Sequence, residues 1–196
     1  MPDNKKEWLS KAEIDYFSPF VSLWLACNSW YNIHYAEIVT TDRDRINKIK
    51  TDMTPRNLLR KRFKKLLDEQ SPAATAFRSN LEQFSRALDN VEIHEKENGP
   101  IVRFGNASCI PGAPHESLIV KIKRTTKGKL RKNDINRVID LGTLTVTSDQ
   151  DKLFAGVFEM IYQIRCNLVH GTLEPNDFTH NVVKYAYQLL WDLMHF

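Results

Sequence analysis

SDQDKLFAGVFEMIYQIRCNLVHG, residues 148–171, reads as one long helix with a marked start and stop. Ser148 is a favourable N-cap, and Asp149 and Asp151 place negative charge in the first turn, where the helix macrodipole stabilises it. Gly171 stands where a left-handed residue would close the helix. At about 3.6 residues per turn, Leu153, Phe154, Val157, Ile161, Ile164 and Leu168 fall on one stripe. Phe158, Tyr162 and Val169 widen it, as expected of a core helix covered on more than one side. Gln163, Asn167 and His170 project from the main stripe, and Arg165 lies at its edge, where a permanent charge is costly without a partner. Arg165 and His170 are five positions apart and diverge by roughly 140° on a regular helix. They can serve one atom only if the last turn is distorted or a second copy of the helix packs against the first by two-fold symmetry.

The rest of the chain is read outward from that helix. A length of 196 residues supports one sizeable core, or one core with an insertion, and 42% apolar with 27% charged residues are globular values. The net charge of +4 is mild, so any case for nucleic acid rests on local clustering. Cys27, Cys109 and Cys166 are scattered with no CxxC pair, which fits a reduced cytoplasmic protein without a zinc site. No signal peptide opens the chain, and the apolar run from Phe20 to Cys27 is too short to span a bilayer, so no membrane role is expected.

Most of the sequence carries helical signals. Residues 1–17 are polar and read as frayed at first. Ser18-Pro19 opens a helix to about Ile38 whose aromatics (Phe20, Trp24, Trp30, Tyr31, Tyr35) read as core rather than as a base-stacking platform. Asp42 to Lys50 is a short charged helix. Thr54-Pro55 opens a strongly basic one, and Ser71-Pro72 opens another through Leu88. The pattern changes after Asp89. Residues 98–114 are rich in Gly and Pro, and Ser117 to Lys123 alternates as a strand, with Val91–Ile93 and Ile101–Phe104 as candidate neighbours. Asn133 is read as the cap of a helix through about Leu141, and Asp177 to Met194 as the last helix. The expected fold is thus mainly α over 1–196, with a small β insertion at about 91–124 and a basic β/loop region extending to 132. Lys121, Lys123, Arg124, Lys127, Lys129, Arg131 and Lys132 crowd into that region with no acidic residue among them. Such a cluster suits a phosphate backbone, although a solvated loop would look the same.

The string YQIRCNLVHG, residues 162–171, resembles the R-x4-6-H signature helix of the HEPN superfamily, the helical domains of prokaryotic toxins and defence ribonucleases. The only Arg-x4-His of the chain falls at the end of its most strongly patterned helix and is followed at once by Gly. The resemblance extends weakly to SPFVSLWLACNSWYNIHY, residues 18–35, and does not obviously cover 91–147. It implies a HEPN-like helical bundle that forms a homodimer. A composite cleft between two motif helices would then cut RNA without a metal or other cofactor, with an antitoxin or another defence-system protein as partner. Two departures stand out. Cys166 follows the Arg where many members place the polar residue, and Thr172 occupies the position of a tyrosine that some antitoxins modify.

The residue types suit that chemistry. RNA carries its own nucleophile, the 2′-hydroxyl. Cleavage needs a base for that proton, an acid for the leaving 5′-oxygen and a cation for the phosphorane. The His170 imidazole titrates near neutrality and serves for either proton. The Arg165 guanidinium matches phosphate oxygens in a planar fork. Asn167 could orient the histidine or hold a phosphate oxygen. The expected products are a 2′,3′-cyclic phosphate and a 5′-hydroxyl. The alternative is a catalytically silent HEPN interaction or RNA-binding module in a defence complex, in which Arg165 pairs with a carboxylate and His170 only favours the helix dipole.

Overall fold

A computed structural model describes residues 15–38, 41–95, 99–107 and 114–196. Among them run six helices and one two-stranded sheet: α1 (Phe17–His34), α2 (Asp42–Thr51), α3 (Leu58–Asp68), α4 (Pro72–Leu88), β1 (Val138–Asp140), β2 (Thr145–Thr147), α5 (Gln150–Val169) and α6 (Asp177–Met194). The chain is mainly helical with a small β element, in line with the sequence. The fraying expected at the N-terminus falls largely on residues 1–14 and, like Cys109, lies outside the described residues. Among the described residues no helix is long and apolar enough to cross a membrane.

The helix of the signature is the core helix of the molecule. Every residue of α5 from Leu153 to Ile164 is buried. Its aromatics continue a line of ring contacts. Phe77 meets Phe63 at 5.4 Å, Phe63 meets Phe154 at 5.6 Å, Phe154 stacks on Phe158 at 5.8 Å, and Phe158 meets Trp24 at 6.3 Å. The α1 aromatics Phe20, Trp24, Tyr31 and Tyr35 are buried, so they belong to the core as expected. Helix α6 packs along α4 and α1, while α2 and α3 close over α5.

Helix starts follow side-chain acceptors. Ser71 accepts from the Ala74 amide with Pro72 at the first helical position, and Asn176 accepts from Thr179. Two expected starts shift by a residue or two. The N-cap of α5 is Asp149, whose carboxylate takes the amides of both Asp151 and Lys152, rather than Ser148. Helix α1 begins at Phe17, whose amide donates to Asp15, and Pro19 is tolerated because the first-turn amides have no helical acceptor in any case. A third start is displaced further. Helix α3 begins at Leu58, not at Thr54-Pro55, because fully buried Asn57 holds the corner. Its Oδ1 accepts from the Arg60 amide at 3.1 Å, and its Nδ2 donates to the Ile49 and Asp52 carbonyls at 2.7 and 3.0 Å. One amide thus starts α3 and satisfies the end of α2. Asn57→Ala is expected to lower stability by about 2 kcal/mol in urea titration, since it removes a cap and strands two buried carbonyls.

The β region differs from the sequence reading. Residues 133–137 form a turn and 138–140 the strand β1, where a helix is expected through Leu141. The ladder is antiparallel, with Val138 opposite Thr147, Ile139 opposite Val146 and Asp140 opposite Thr145. Gly142, at φ +108°, makes the reversal, and the β-branched run Thr145-Val146-Thr147 favours the extended partner. Ile135, which a helix from Asn133 would turn inward with Val138 and Ile139, is exposed. Residues 117–123 do not form a regular strand. They join β2 through one bridge, Ile119 with Val146, and two flanking backbone bonds, Val120 to Thr145 and Thr147 to Leu118, each 2.9 Å. The pairing continues sideways through Leu118 to Phe104 at 2.8 Å and Val102 to Ile93 at 2.7 Å. Ile93, Val102, Phe104, Leu118 and Val146 are all buried beneath it. The regular ladder therefore lies beyond residue 124, the expected limit of the insertion.

Candidate functional site

The last turn of α5 is regular. The His170 amide donates to Cys166 at 3.0 Å, that of Gly171 to Leu168 at 3.2 Å and that of Thr172 to Asn167 at 3.0 Å. Gly171 sits at φ +68°. The last two bonds, with the left-handed glycine, make a Schellman closure. No distortion swings Arg165 toward His170, so within one chain the two keep the divergence of a regular helix. Val169, expected to widen the buried stripe, is 55% exposed, and His170 beside it is also exposed.

Arg165 is half-buried against α1. Its Nη1 lies 4.0 Å from Asp42 Oδ2 and 3.9 Å from Cys166 Sγ, and its guanidinium carbon stands 5.9 Å from the Trp24 ring. Asp42 opens α2 and also accepts from the Tyr31 hydroxyl, which in turn accepts from Asn28 at 2.6 Å. Burial, followed by the bond to Asp42, pushes Tyr31 well above the ordinary phenol range, so it stays a donor. Arg165 thus faces a loose carboxylate with no charge-assisted hydrogen bond to it.

Asn167 is not free to serve a substrate. It is buried, as is Gln163, contrary to the expectation that both project from the stripe. Its Nδ2 donates to the carbonyls of His94 and Gln163 at 2.8 and 2.9 Å, and its Oδ1 accepts from the His94 amide at 3.2 Å and the Thr172 hydroxyl at 3.1 Å. The amide clasps the backbone of residue 94 onto the end of α5. Asn167→Ala is expected to lower stability by about 1–3 kcal/mol, because the part-buried backbone groups of His94 lose their partner. A shift in the thermal midpoint checks this.

A charged cluster that sequence reasoning missed lies one and two turns before Arg165. Glu159, 1% exposed, accepts from Arg43 Nη1 at 2.8 Å on both oxygens, from Lys50 Nζ at 2.6 Å and from Gln163 Nε2 at 2.6 Å. Burial opposes its ionisation, but the Lys50 and Arg43 charges prevail and hold the carboxyl below the usual range. Arg43 also lies 4.3 Å over the Tyr162 ring. The one signal in the sequence was a carboxylate at an otherwise apolar helical position. Among the described residues no group of three or more His, Cys, Asp or Glu side chains could hold a metal ion.

The basic region divides in two. Arg124 is structural, donating to Asp140 at 2.8 and 3.0 Å and to the Gly142 and Gly128 carbonyls. Lys121, Lys123, Lys127, Lys129, Arg131 and Lys132 are exposed, and among the described residues none has an ion-pair partner. On α3, by contrast, Arg60 and Lys64 converge on Asp151 at 2.6 and 2.8 Å, and Arg62 donates to the Asp192 carbonyl, so much of that basic face is already engaged. Comparison with known protein families, with curated proteins and with solved structures finds no match to this chain.

Proposed function

We propose that the chain is a HEPN-like endoribonuclease that works as a homodimer. It cuts single-stranded or loop RNA to a 2′,3′-cyclic phosphate and a 5′-hydroxyl, in the cytoplasm, within a toxin–antitoxin or phage-defence system. The observation that carries the reading is the end of α5: an exposed histidine and, five residues before it, a half-buried arginine, on a buried helix shut by a left-handed glycine. Because that helix is regular, both groups reach one phosphate only when a partner's α5 supplies the complement. Val169, 55% exposed next to His170, is an apolar residue on α5 that such a pairing would cover.

In this mechanism the substrate's 2′-hydroxyl attacks the adjacent phosphorus. One His170 imidazole takes its proton, its symmetry mate protonates the departing 5′-oxygen, and the Arg165 guanidinia steady the non-bridging oxygens. Asn167 acts as a positioning residue, and the six cations of 121–132 with no ion-pair partner among the described residues hold flanking phosphates. The test is incubation of the purified protein with RNA in EDTA, with end-group analysis of the fragments and His170→Ala as control. Cleavage to cyclic phosphates that is lost in the variant supports the reading. A strict need for a divalent metal, or cleavage undiminished in the variant, sinks it.

A second reading, the catalytically silent HEPN interaction or RNA-binding module, is favoured by one observation: Asn167 is saturated and Arg165 already faces Asp42. It predicts RNA or partner binding with no cleavage by wild type.

A further inference from the structure

The groove between α4 and α6 contains features that the Arg165–His170 site does not use. It is a cleft of about 250 Å³ bounded by Phe178 and Tyr185 on α6, and by Gln83, Arg86 and Asn90 at the end of α4. Phe178 is 59% exposed, unusual for a phenylalanine beside a core helix. Lys184 Nζ stands 5.4 Å from the centre of the Tyr185 ring. Arg86 is steadied by Glu82 at 2.8 Å and by the Thr143 hydroxyl, with its side chain still half-exposed.

We propose that this groove is a base-binding subsite in which one unstacked nucleobase of single-stranded RNA lies against Phe178 and Tyr185. The inference rests on the ribonuclease reading and names where the strand goes. Its position argues for it. Asn90 also lines a neighbouring cleft of about 300 Å³ whose other wall is Thr172–Glu174, the residues that follow His170 and Gly171. Arg86, also on its wall, donates to Thr143, whose neighbour Gly142 accepts from Arg124 at the root of the basic loop. The groove therefore adjoins both the residues that follow His170 and the root of the basic loop. Its chemistry argues for a base rather than a phosphate: an exposed ring and a half-buried one beside side-chain amides suit a planar heterocycle with donors and acceptors at its edge. Glu92 and Glu174 lie in the adjoining cleft, so the phosphates next to the bound base fall to the Arg86 side of the groove.

The experiment is steady-state cleavage of a single-stranded oligoribonucleotide by the full chain. Phe178→Ala is expected to raise KM about 5- to 100-fold, the loss of one stacked base, with a smaller effect on kcat. Phe178→Tyr, which keeps the ring, is expected to restore KM. An unchanged KM in Phe178→Ala overturns the subsite while leaving the ribonuclease reading intact. If wild type cleaves no RNA, that reading fails on its own, and photocrosslinking with an oligonucleotide carrying 4-thiouridine decides the subsite. Adducts on the Phe178 or Tyr185 peptides support it, and adducts elsewhere or none overturn it.

Discussion

Replacing Glu159 by leucine is expected to cost about 3–5 kcal/mol of folding stability, a large share of the roughly 5–15 kcal/mol of a typical domain. The carboxylate is buried under α2, where Lys50 is as deeply covered and Arg43 less so, at 32% side-chain exposure. Removing this carboxylate takes from both cations the anion they share in a poorly solvating interior. Arg43 can turn outward; Lys50 has no such route. The companion variant Glu159→Leu/Lys50→Met is therefore expected to recover most of the loss, because an apolar pair of similar volume serves as well as a buried ion pair. The same cluster sets an acid limit. The folded pKa of Glu159 lies below its ordinary value of 4.5, so its contribution is complete above about that pH and is lost as pH falls through the lower folded value. Urea midpoints of wild type should fall with acid over that window, and those of Glu159→Gln should fall less. A loss below about 1 kcal/mol in Glu159→Leu would show that the cluster is not buried as described.

His170→Ala is expected to reduce RNA cleavage by about 10²–10⁴, the usual worth of a positioned acid or base. Stability should change by no more than about 0.5 kcal/mol, because His170 is exposed. That pairing of a large kinetic loss with an intact fold separates chemistry from structure. Arg165→Lys sharpens it. A lysine keeps the charge but not the planar fork, so a phosphate-binding arginine should lose most of its effect, whereas one that only balances Asp42 should not. Single-turnover rates and thermal midpoints on the same preparations give both readouts.

The parts of the fold legible in the sequence were those set by local rules. Ser71-Pro72 and the terminal Gly171 announce themselves because cap, proline and left-handed glycine act within one turn. The aromatic periodicity of α1 correctly marked a core face. Asn57 was missed because half its role is to finish the preceding helix, which no window around Thr54-Pro55 reveals. The segment 133–141 misled because Ile135, Val138 and Ile139 also satisfy helical spacing. The Gly142 reversal and the pairing with Thr145–Thr147 decide it, and both lie downstream. At the site, Arg165 and His170 were visible as a motif. The charged partners of Glu159 stand 109 and 116 positions away in the chain, and nothing local points to them. Asn167 was noticed for its polarity, but its partner, the backbone of residue 94, emerges only from the folded chain.

That last contact has a mechanical consequence. A loop pinned by a side chain of a core helix does not peel away freely: releasing residue 94 breaks one bond at each end of the Asn167 amide, and unwinding the final turn of α5 releases residue 94. The excursion and the histidine-bearing end of the helix therefore open as one cooperative unit. Anything that grips the excursion from outside stiffens the very turn from which the imidazole projects.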